Sequence, residues 1–206
     1  MTPISRRLAA AMLLCSAAVA APAARADTMA DGKAMIERMA SQVVSILADK
    51  SATRAAKEAR FRQILGQNFD VPTIGAWVMG GPWRGATAAQ RAEYLKLFET
   101  YIVKVYTGQL STYSGESVTV TGAEEDGGGV AVLSRITDPK NARTVELKWR
   151  LRGIGAKLKV RDVLIENLSM SQTQRREFAA VFQQRGGTVD GLIAALREKI
   201  AELDQK

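Results

Sequence analysis

The sequence predicts an α+β fold in which helices pack against four antiparallel strands. Apolar residues repeat at three- and four-residue intervals as far as Tyr113, then alternate at every second position, and return to the helical period from Ser171 onward. Short turns separate the successive strands, which is typical of an antiparallel meander. We therefore expect one sheet, with its apolar face covered by the helices.

The first 26 residues have the features of a secretory signal. Arg6 and Arg7 precede an apolar run at positions 8–21, and Ala24-Arg25-Ala26 forms a small-x-small cleavage site. The run is too short and too rich in alanine to span a membrane stably. We expect cleavage after Ala26 and export by the general secretory route.

Removal of the signal leaves residues 27–206, which are enough for a single domain with a sizeable core. It also removes three arginines and no acids, so the formal net charge falls from +8 to +5. A basic exported protein suits anionic lipid surfaces or acidic protein partners better than nucleic acid, although solubility alone also explains such a charge.

The mature chain contains neither cysteine nor histidine, because the one cysteine, Cys15, lies in the signal. This composition excludes disulfides, Cys/His zinc sites, Ser-His-Asp triads and thiol nucleophiles. Acid/base chemistry by carboxylates and metal sites built from Asp and Glu are still open, so the acids are considered where they occur.

Two helices are predicted between Asp31 and Asn68. Ser51 is the predicted N-cap of the second. Methionines at helical spacing usually fill a core, although their flexible side chains also suit a surface that adapts to ligand tails. The inward residues are Met35, Ile36, Met39, Val43, Ile46 and Leu47 on the first helix and Phe61, Ile64 and Leu65 on the second.

A short apolar helix and a long amphipathic helix follow. Asp70 is the predicted N-cap of the short helix, Pro72 lies in its first turn, and the Gly-Gly-Pro run at 80–82 ends it. Thr87 and Gln90 form a capping box for the long helix. The apolar face of the long helix consists of Tyr94, Leu97, Phe98, Tyr101, Ile102 and Val105.

The four strands are predicted at 118–121, 130–136, 143–151 and 158–165. The third is the clearest, because four apolar residues alternate with polar ones, so one side of the sheet must be dry. These four are Val145, Leu147, Trp149 and Leu151.

The last block returns to helix. Ser171 is the predicted N-cap of a helix that stops at Gly186-Gly187, and Thr188 begins the terminal helix. No internal repeat or low-complexity linker indicates a second domain.

The acidic residues give only weak indications of a catalytic or metal-binding site. Asp162 and Glu166 fall on one side of the fourth strand, where an acid/base pair is conceivable, but neighbouring arginines such as Arg161 offer ordinary ion pairs. The acidic turn at 124–129 lacks the alternating oxygen ligands of a calcium loop and the lysine of a phosphate loop. We therefore predict no catalytic residue, no metal ion and no cofactor.

Large apolar side chains from the helices and the sheet converge if the long helix packs on the strands. An ordinary solid core and a hollow one both fit this pattern, because periodicity does not distinguish them. The converging residues are Trp77, Met79, Trp83, Phe98, Tyr101, Val105, Tyr106, Val132, Leu147 and Trp149.

Several motifs, spread in order over the mature chain, resemble the MlaC or toluene-tolerance family of periplasmic phospholipid carriers in the Mla pathway. Asn167 replaces a common glycine and Val78-Met79-Gly80 a common Val-Leu-Gly, and Asn167 tolerates the same left-handed backbone. The motifs are FDVPTIGAWVMGGPWR at 69–84, Gln90-Arg91 with Tyr94 and Phe98, Lys104-Val105-Tyr106, KVRDVLIENLSMSQTQRREF at 159–178, and Gly186-Gly187 with GLIAALREK at 191–199.

The resemblance implies a non-enzymatic periplasmic shuttle that maintains outer-membrane lipid asymmetry and holds acyl chains in an apolar cavity between a curved four-stranded sheet and helices. The implied partners are an MCE-domain protein of an inner-membrane ABC transporter and an outer-membrane lipoprotein complex. Trp83 and Arg84 are assigned to the cavity mouth, with Arg84 near a phosphate, and Arg161 with Asp162 to a structural pair. Tail contacts are assigned to Trp77, Met79, Phe98, Tyr101, Val105, Tyr106, Val132, Leu147, Trp149 and Met170.

Three alternatives stay open at this stage. A hopanoid-associated member of the family would hold a rigid polycyclic lipid. A small cone-shaped isomerase or dehydratase would use a buried acid such as Asp162. A protein-interaction module would have a solid core. Leu147→Trp and Val105→Trp are predicted to fill a cavity and reduce lipid retention.

Overall fold

A computed structural model describes residues 20–109, 113 and 115–205 of the chain. These residues form seven helices and a five-stranded sheet, an α+β fold with helices before and after the strands. The helices are α1 (Ala20–Ala48), α2 (Arg54–Asn68), α3 (Val71–Met79), α4 (Pro82–Gly85), α5 (Ala88–Gln109), α6 (Met170–Gln184) and α7 (Val189–Asp204).

Helix α1 begins well before the predicted start at Asp31 and runs through the predicted cleavage site after Ala26. Residues 1–19 of the predicted signal lie outside the described residues, so the signal and its cleavage stay predictions. Within the described part of the chain, no helix combines the length and apolar content needed to cross a membrane.

Three of the predicted helix caps are confirmed. The Asp70 carboxylate accepts from Thr73 N at 3.3 Å, and the Thr188 hydroxyl accepts from Gly191 N at 3.0 Å. The capping box of α5 is complete, with Gln90 N donating to Thr87 Oγ1 at 3.2 Å and Thr87 N donating to Gln90 Oε1 at 2.9 Å. Local sequence therefore sets these three helix starts.

Two predicted caps are wrong by two residues. Thr53, and not Ser51, caps α2 by accepting from Ala56 N at 3.2 Å, because Ser51 instead donates its hydroxyl to Asp49 Oδ1 at 2.6 Å. Ser169, and not Ser171, caps α6 by accepting from Gln172 N at 3.1 Å. In both cases two hydroxyl residues compete, and the turn before the helix decides between them.

The sheet is an antiparallel meander in the order β1-β2-β3-β4-β5. The prediction of four strands missed β5, which has only two residues and exposes Leu168, so it shows no alternation. Glu166 and Asn167 join β4 to β5 with φ of 48° and 66°, which confirms the left-handed backbone predicted at Asn167. The strands are β1 (Ser117–Asp126), β2 (Gly129–Thr137), β3 (Thr144–Arg152), β4 (Lys159–Ile165) and β5 (Leu168–Ser169).

The pairing of β3 with β4 shifts at one residue. Arg150 lies opposite Asp162, whereas the next residue, Leu151, lies opposite Val160. Arg161 is therefore an extra, unpaired residue in β4, a β-bulge of the kind that bends a strand and redirects a side chain.

The fold has two hydrophobic cores among the described residues. The helical core joins α2 to α7 and is rich in aromatic rings: Tyr94 stacks on Phe98 with centroids 5.8 Å apart, and Phe178 meets both rings edge-on. The sheet core joins α1 and α2 to the strands and is aliphatic. Its buried members are Met35, Ile36, Met39, Ile46, Ile64, Val130, Val132, Leu151, Leu158 and Val160.

Candidate functional site

An apolar pocket of about 430 Å³ lies between the two cores. The pocket is partly open to solvent, so the predicted full enclosure is not confirmed. Apolar side chains dominate its wall. Those from the sheet are Val118, Ile136, Leu147, Trp149, Val163 and Ile165; those from the helices include Met39, Val43, Leu47, Phe61, Ile64, Leu65, Val71, Ile74, Val78, Phe98, Ile102, Tyr106 and Met170.

The strands line the pocket with one face of the sheet, and only along half of that face. Leu147 lines the pocket, and Trp149 is the next residue on the same face of β3. One further step along this face, Leu151 is fully buried in the sheet core. We call the residues Ile136, Leu147, Val163 and Ile165 the open half of this face, and Val130, Val132, Leu151 and Val160 the closed half.

One group of polar side chains in the pocket lining lies where β4 meets the starts of α3 and α6. The bulge directs Arg161 to this group, and its guanidinium pairs with Asp70 at 2.9 Å. The backbone beside it is also joined to α3, because Asp70 N donates to Val160 O at 3.0 Å. Arg161 is therefore held in place with about half of its side chain exposed.

Asp162 lies beside Arg161 and stabilises the start of α6. Its carboxylate accepts from Ser169 Oγ at 2.7 Å, from Ser171 N at 3.1 Å and from its neighbour Val163 N at 3.0 Å. The predicted Arg161–Asp162 pair is thus corrected: each residue has other partners, because the bulge places them at the ends of two different helices.

The acids do not form an acid/base pair suited to catalysis. Three donors hold the Asp162 carboxylate, and the Glu166 carboxylate accepts from Glu146 N at 2.7 Å. A general base needs an accessible lone pair beside the substrate, whereas the Asp162 carboxylate already accepts three structural bonds and the exposed Glu166 is outside the pocket lining. Among the described residues, no cluster of three or more His, Cys, Asp or Glu is placed to hold a metal ion.

The tyrosines near the pocket act as apolar groups with polar tips. Burial raises the pKa of Tyr106, which lines the pocket, above the ordinary value for tyrosine. Burial likewise raises the pKa of Tyr101 on the neighbouring face of α5. Both hydroxyls therefore stay neutral near neutral pH and add no charge to this region.

Five of the predicted tail-contact residues line the pocket and five do not. Phe98, Tyr106, Leu147, Trp149 and Met170 come together in its wall. Their contact with a lipid tail stays a prediction, which their position supports.

The other five predicted residues lie elsewhere. Trp77 is half exposed and stacks under the Arg175 guanidinium at 4.3 Å from the ring centroid. Met79 is buried in the helical core and Val132 in the sheet core. Tyr101 faces a second groove between α5, α6 and α7, and Val105 is outside the pocket lining.

The two residues assigned to the mouth are also outside the lining. Trp83 packs on the helical core, with its ring centroid 6.3 Å from that of Tyr94 and the Arg91 guanidinium 5.3 Å from its own. Arg84 lies in the single turn of α4, and its carbonyl accepts from Arg91 at 3.1 Å. In the structure this pair therefore anchors the start of α5.

The lining residues from α1 and α2 were missed as site residues, although their helical stripe was predicted. Met39, Val43, Phe61 and Ile64 face the pocket while contacting one of the two cores. The one available signal was the spacing of the methionines on α1, because flexible thioethers suit a wall that adapts to its contents.

An α+β unit with an apolar pocket is typical of small ligand-binding proteins. Within this class, the chain belongs to the MlaC protein family, whose family model matches residues 37–198. The match covers most of the helices and the complete sheet, and it confirms the resemblance drawn from the motifs.

Known relatives are consistent with this membership. The chain is 26% identical over 144 residues to the toluene tolerance protein ttg2D of Pseudomonas putida, covering 69% of this chain and 67% of that protein. It is 22% identical over 132 residues to the intermembrane phospholipid transport system binding protein MlaC of Haemophilus influenzae, covering 62% and 61%. The matched segment thus spans about two thirds or less of each relative.

A solved structure has the same fold. The phospholipid-binding protein of Ralstonia solanacearum, determined in complex with a phospholipid, superimposes with a TM-score of 0.70 and 25% sequence identity. The comparison covers 84% of this chain and 98% of that one, so the likeness extends over the whole neighbour.

Proposed function

We propose that this protein is a phospholipid carrier that encloses lipid tails in the apolar pocket between its two cores. The observation that carries the proposal is the pocket itself, whose wall is apolar over both the sheet and the helices. A phospholipid bound to the Ralstonia solanacearum neighbour supports the choice of ligand.

The physical advantage is the removal of the tails from water. Each methylene transferred out of water gains about 0.8 kcal/mol, so an acyl chain needs an apolar enclosure to cross an aqueous compartment. The headgroup needs no such enclosure and can remain at the solvent-open side of the pocket.

In the cell, we propose that residues 27–206 act as a single lipid-binding domain in the periplasm after cleavage of the signal at Ala26. The carrier would exchange lipid with an MCE-domain protein of an inner-membrane ABC transporter and with an outer-membrane lipoprotein complex, and so maintain outer-membrane asymmetry. Support comes from family membership and from the intermembrane transport role in the name of the Haemophilus influenzae relative.

The carrier has no catalytic step in this proposal. The carboxylate that a small isomerase would use, Asp162, is held by three hydrogen bonds at the start of α6. Transport needs only reversible binding of tails, which an apolar wall provides.

The experiment is to export the full chain from a Gram-negative host, purify it without detergent, and identify the organic extract by mass spectrometry. We expect close to one phospholipid per chain. A hopanoid in its place would change the ligand class to a rigid polycyclic lipid. A folded protein without any lipid would contradict the proposal.

A transfer assay tests the carrier step separately. Labelled phospholipid in donor vesicles should appear in separated acceptor vesicles only when the protein is present. Leu147→Trp serves as the control variant, because the larger ring occupies the pocket while the fold is kept. Equal transfer by the two proteins would contradict the assignment of the pocket.

A further inference from the structure

Trp149 is the largest side chain on the boundary between the open and closed halves of the sheet face. It lines the pocket and also packs against the sheet core. On β3 it lies between Leu147, which faces the pocket, and Leu151, which is fully buried. The indole therefore forms part of the pocket wall at the end where the sheet becomes solid.

One hydrogen bond fixes the direction of this ring. The indole Nε1–H donates to Ser134 Oγ at 2.8 Å. Ser134 does not lie opposite Trp149 but opposite Leu147, so the ring leans diagonally across the face toward the open half. In this position the ring covers Ser134, which has no exposed surface.

Ser134 is a polar residue on an otherwise apolar face of β2, between Val132 and Ile136. A buried hydroxyl without a partner is unfavourable, and so is a buried indole N–H, whereas the pair satisfies both. A serine at this site is thus explained by the need to hold the tryptophan ring in one orientation.

We infer that Trp149, positioned by Ser134, is the stop that limits how far a lipid tail extends along the sheet, and so determines which acyl lengths the protein prefers. The inference rests on the proposed function. Beyond the ring, a tail would have to displace Val132 and Leu151, which are completely buried beneath α1. Forcing extra methylenes into such a packed region is unfavourable.

The test is a competition between phosphatidylethanolamines with palmitoyl, stearoyl and arachidoyl tails, offered in mixed vesicles to delipidated full-length protein. Trp149→Leu keeps the wall apolar and removes the stop. The measured quantity is the ratio of longer to shorter lipid bound to the protein. For each methylene that the wild type excludes and the variant accepts, this ratio should rise by about fourfold in the variant. Trp149→Phe removes less of the aromatic side chain, so it should shift the ratio in the same direction by a smaller factor.

Phe178→Leu is the matched control. It removes an aromatic ring from the helical core without touching the pocket lining, so it lowers stability and should leave the ratio unchanged. If either folded Trp149 variant binds lipid with the wild-type ratio, the inference is overturned. If the wild type binds no phospholipid at all, the proposed function fails, and that result differs visibly from an unchanged ratio.

Discussion

The two halves of the sheet face have the same kind of sequence and opposite packing. In the closed half, Val132, Leu151 and Val160 have no exposed surface and are covered by Met35 and Ile36 of α1. In the open half, residues on the same strands and the same face line the pocket. The difference shows that a strand pattern specifies which face is apolar, whereas the placement of the helices decides whether that face is filled.

The reason for the difference lies in how the helices pack. Helix α1 approaches the closed half closely at Gly32, where a Cβ atom would lie 3.2 Å from Val132 Cγ2. Helices α5 and α6 instead bury large rings against each other, as Tyr94, Phe98 and Phe178 show. Tyr94 and Phe178 are used in the helical core and are not part of the pocket lining, so they do not fill the open half.

The sharpest test of the comparison is a matched pair of substitutions on β3. In delipidated protein, Leu151→Ala should lower the free energy of unfolding by about 3 kcal/mol, because it creates a void in a packed core. Leu147→Ala should cost about 2 kcal/mol, at the low end for such a change, because its side chain already borders empty space. Urea unfolding followed by circular dichroism measures both values, and equal losses would mean that the two halves are packed alike.

Filling the open half should separate lipid binding from stability. Leu147→Trp is expected to weaken lipid binding about 15- to 60-fold by displacing two or three methylenes of a tail. The unfolding midpoint of the delipidated protein should change little. Native mass spectrometry gives the occupancy, and a fully loaded, folded variant would count against a tail at Leu147. Val105→Trp, proposed on the same grounds, is not retained as a test, because Val105 lies outside the lining.

A change in the helical core should affect stability and not lipid content. The Tyr94 hydroxyl donates to Gly75 O at 3.0 Å in a fully buried site. Tyr94→Phe removes this bond and should cost about 1 kcal/mol of unfolding free energy. Lipid extracts from the variant and the wild type should match, and a large change in lipid content would show that the helical core and the pocket are coupled.

The smallest effect is expected on the opposite face of the same strands. Arg135 and Glu146 pair at 2.7 Å with about half of each side chain exposed. Arg135→Ala should change the unfolding free energy by less than about 0.5 kcal/mol, because an exposed pair gains little over solvation. A thermal melt measures the change. A loss of unfolding free energy above about 1 kcal/mol would contradict this prediction.

Sequence alone predicted much of the fold. The capping box at Thr87 and Gln90 and the alternation around Leu147 and Trp149 are local signals, and the structure confirms them. The two-residue strand β5 and the caps Thr53 and Ser169 were missed, because short elements and neighbouring hydroxyl residues leave no distinctive pattern.

Half of the predicted tail-contact residues line the pocket, and there is a physical reason why the sequence did not separate them from the others. An inward residue on a helix or strand has the same periodicity whether it meets a neighbour or a void, so Val132 and Leu147 were indistinguishable in sequence. Trp77 is apolar and lies among family motifs, yet it stacks on Arg175 at the surface. Only the three-dimensional arrangement shows which apolar residues are left without neighbours.

The central claim is that lipid tails occupy the space against the open half of the sheet. It is tested by loading the protein with a phospholipid that carries a photoreactive diazirine at the tail end, irradiating it, and mapping the labelled residues by mass spectrometry. The account predicts labels on β3 and β4 around Trp149 and Val163 and on the facing side of α1. Labels confined to the groove between α5, α6 and α7, where Tyr101 lies, would contradict it.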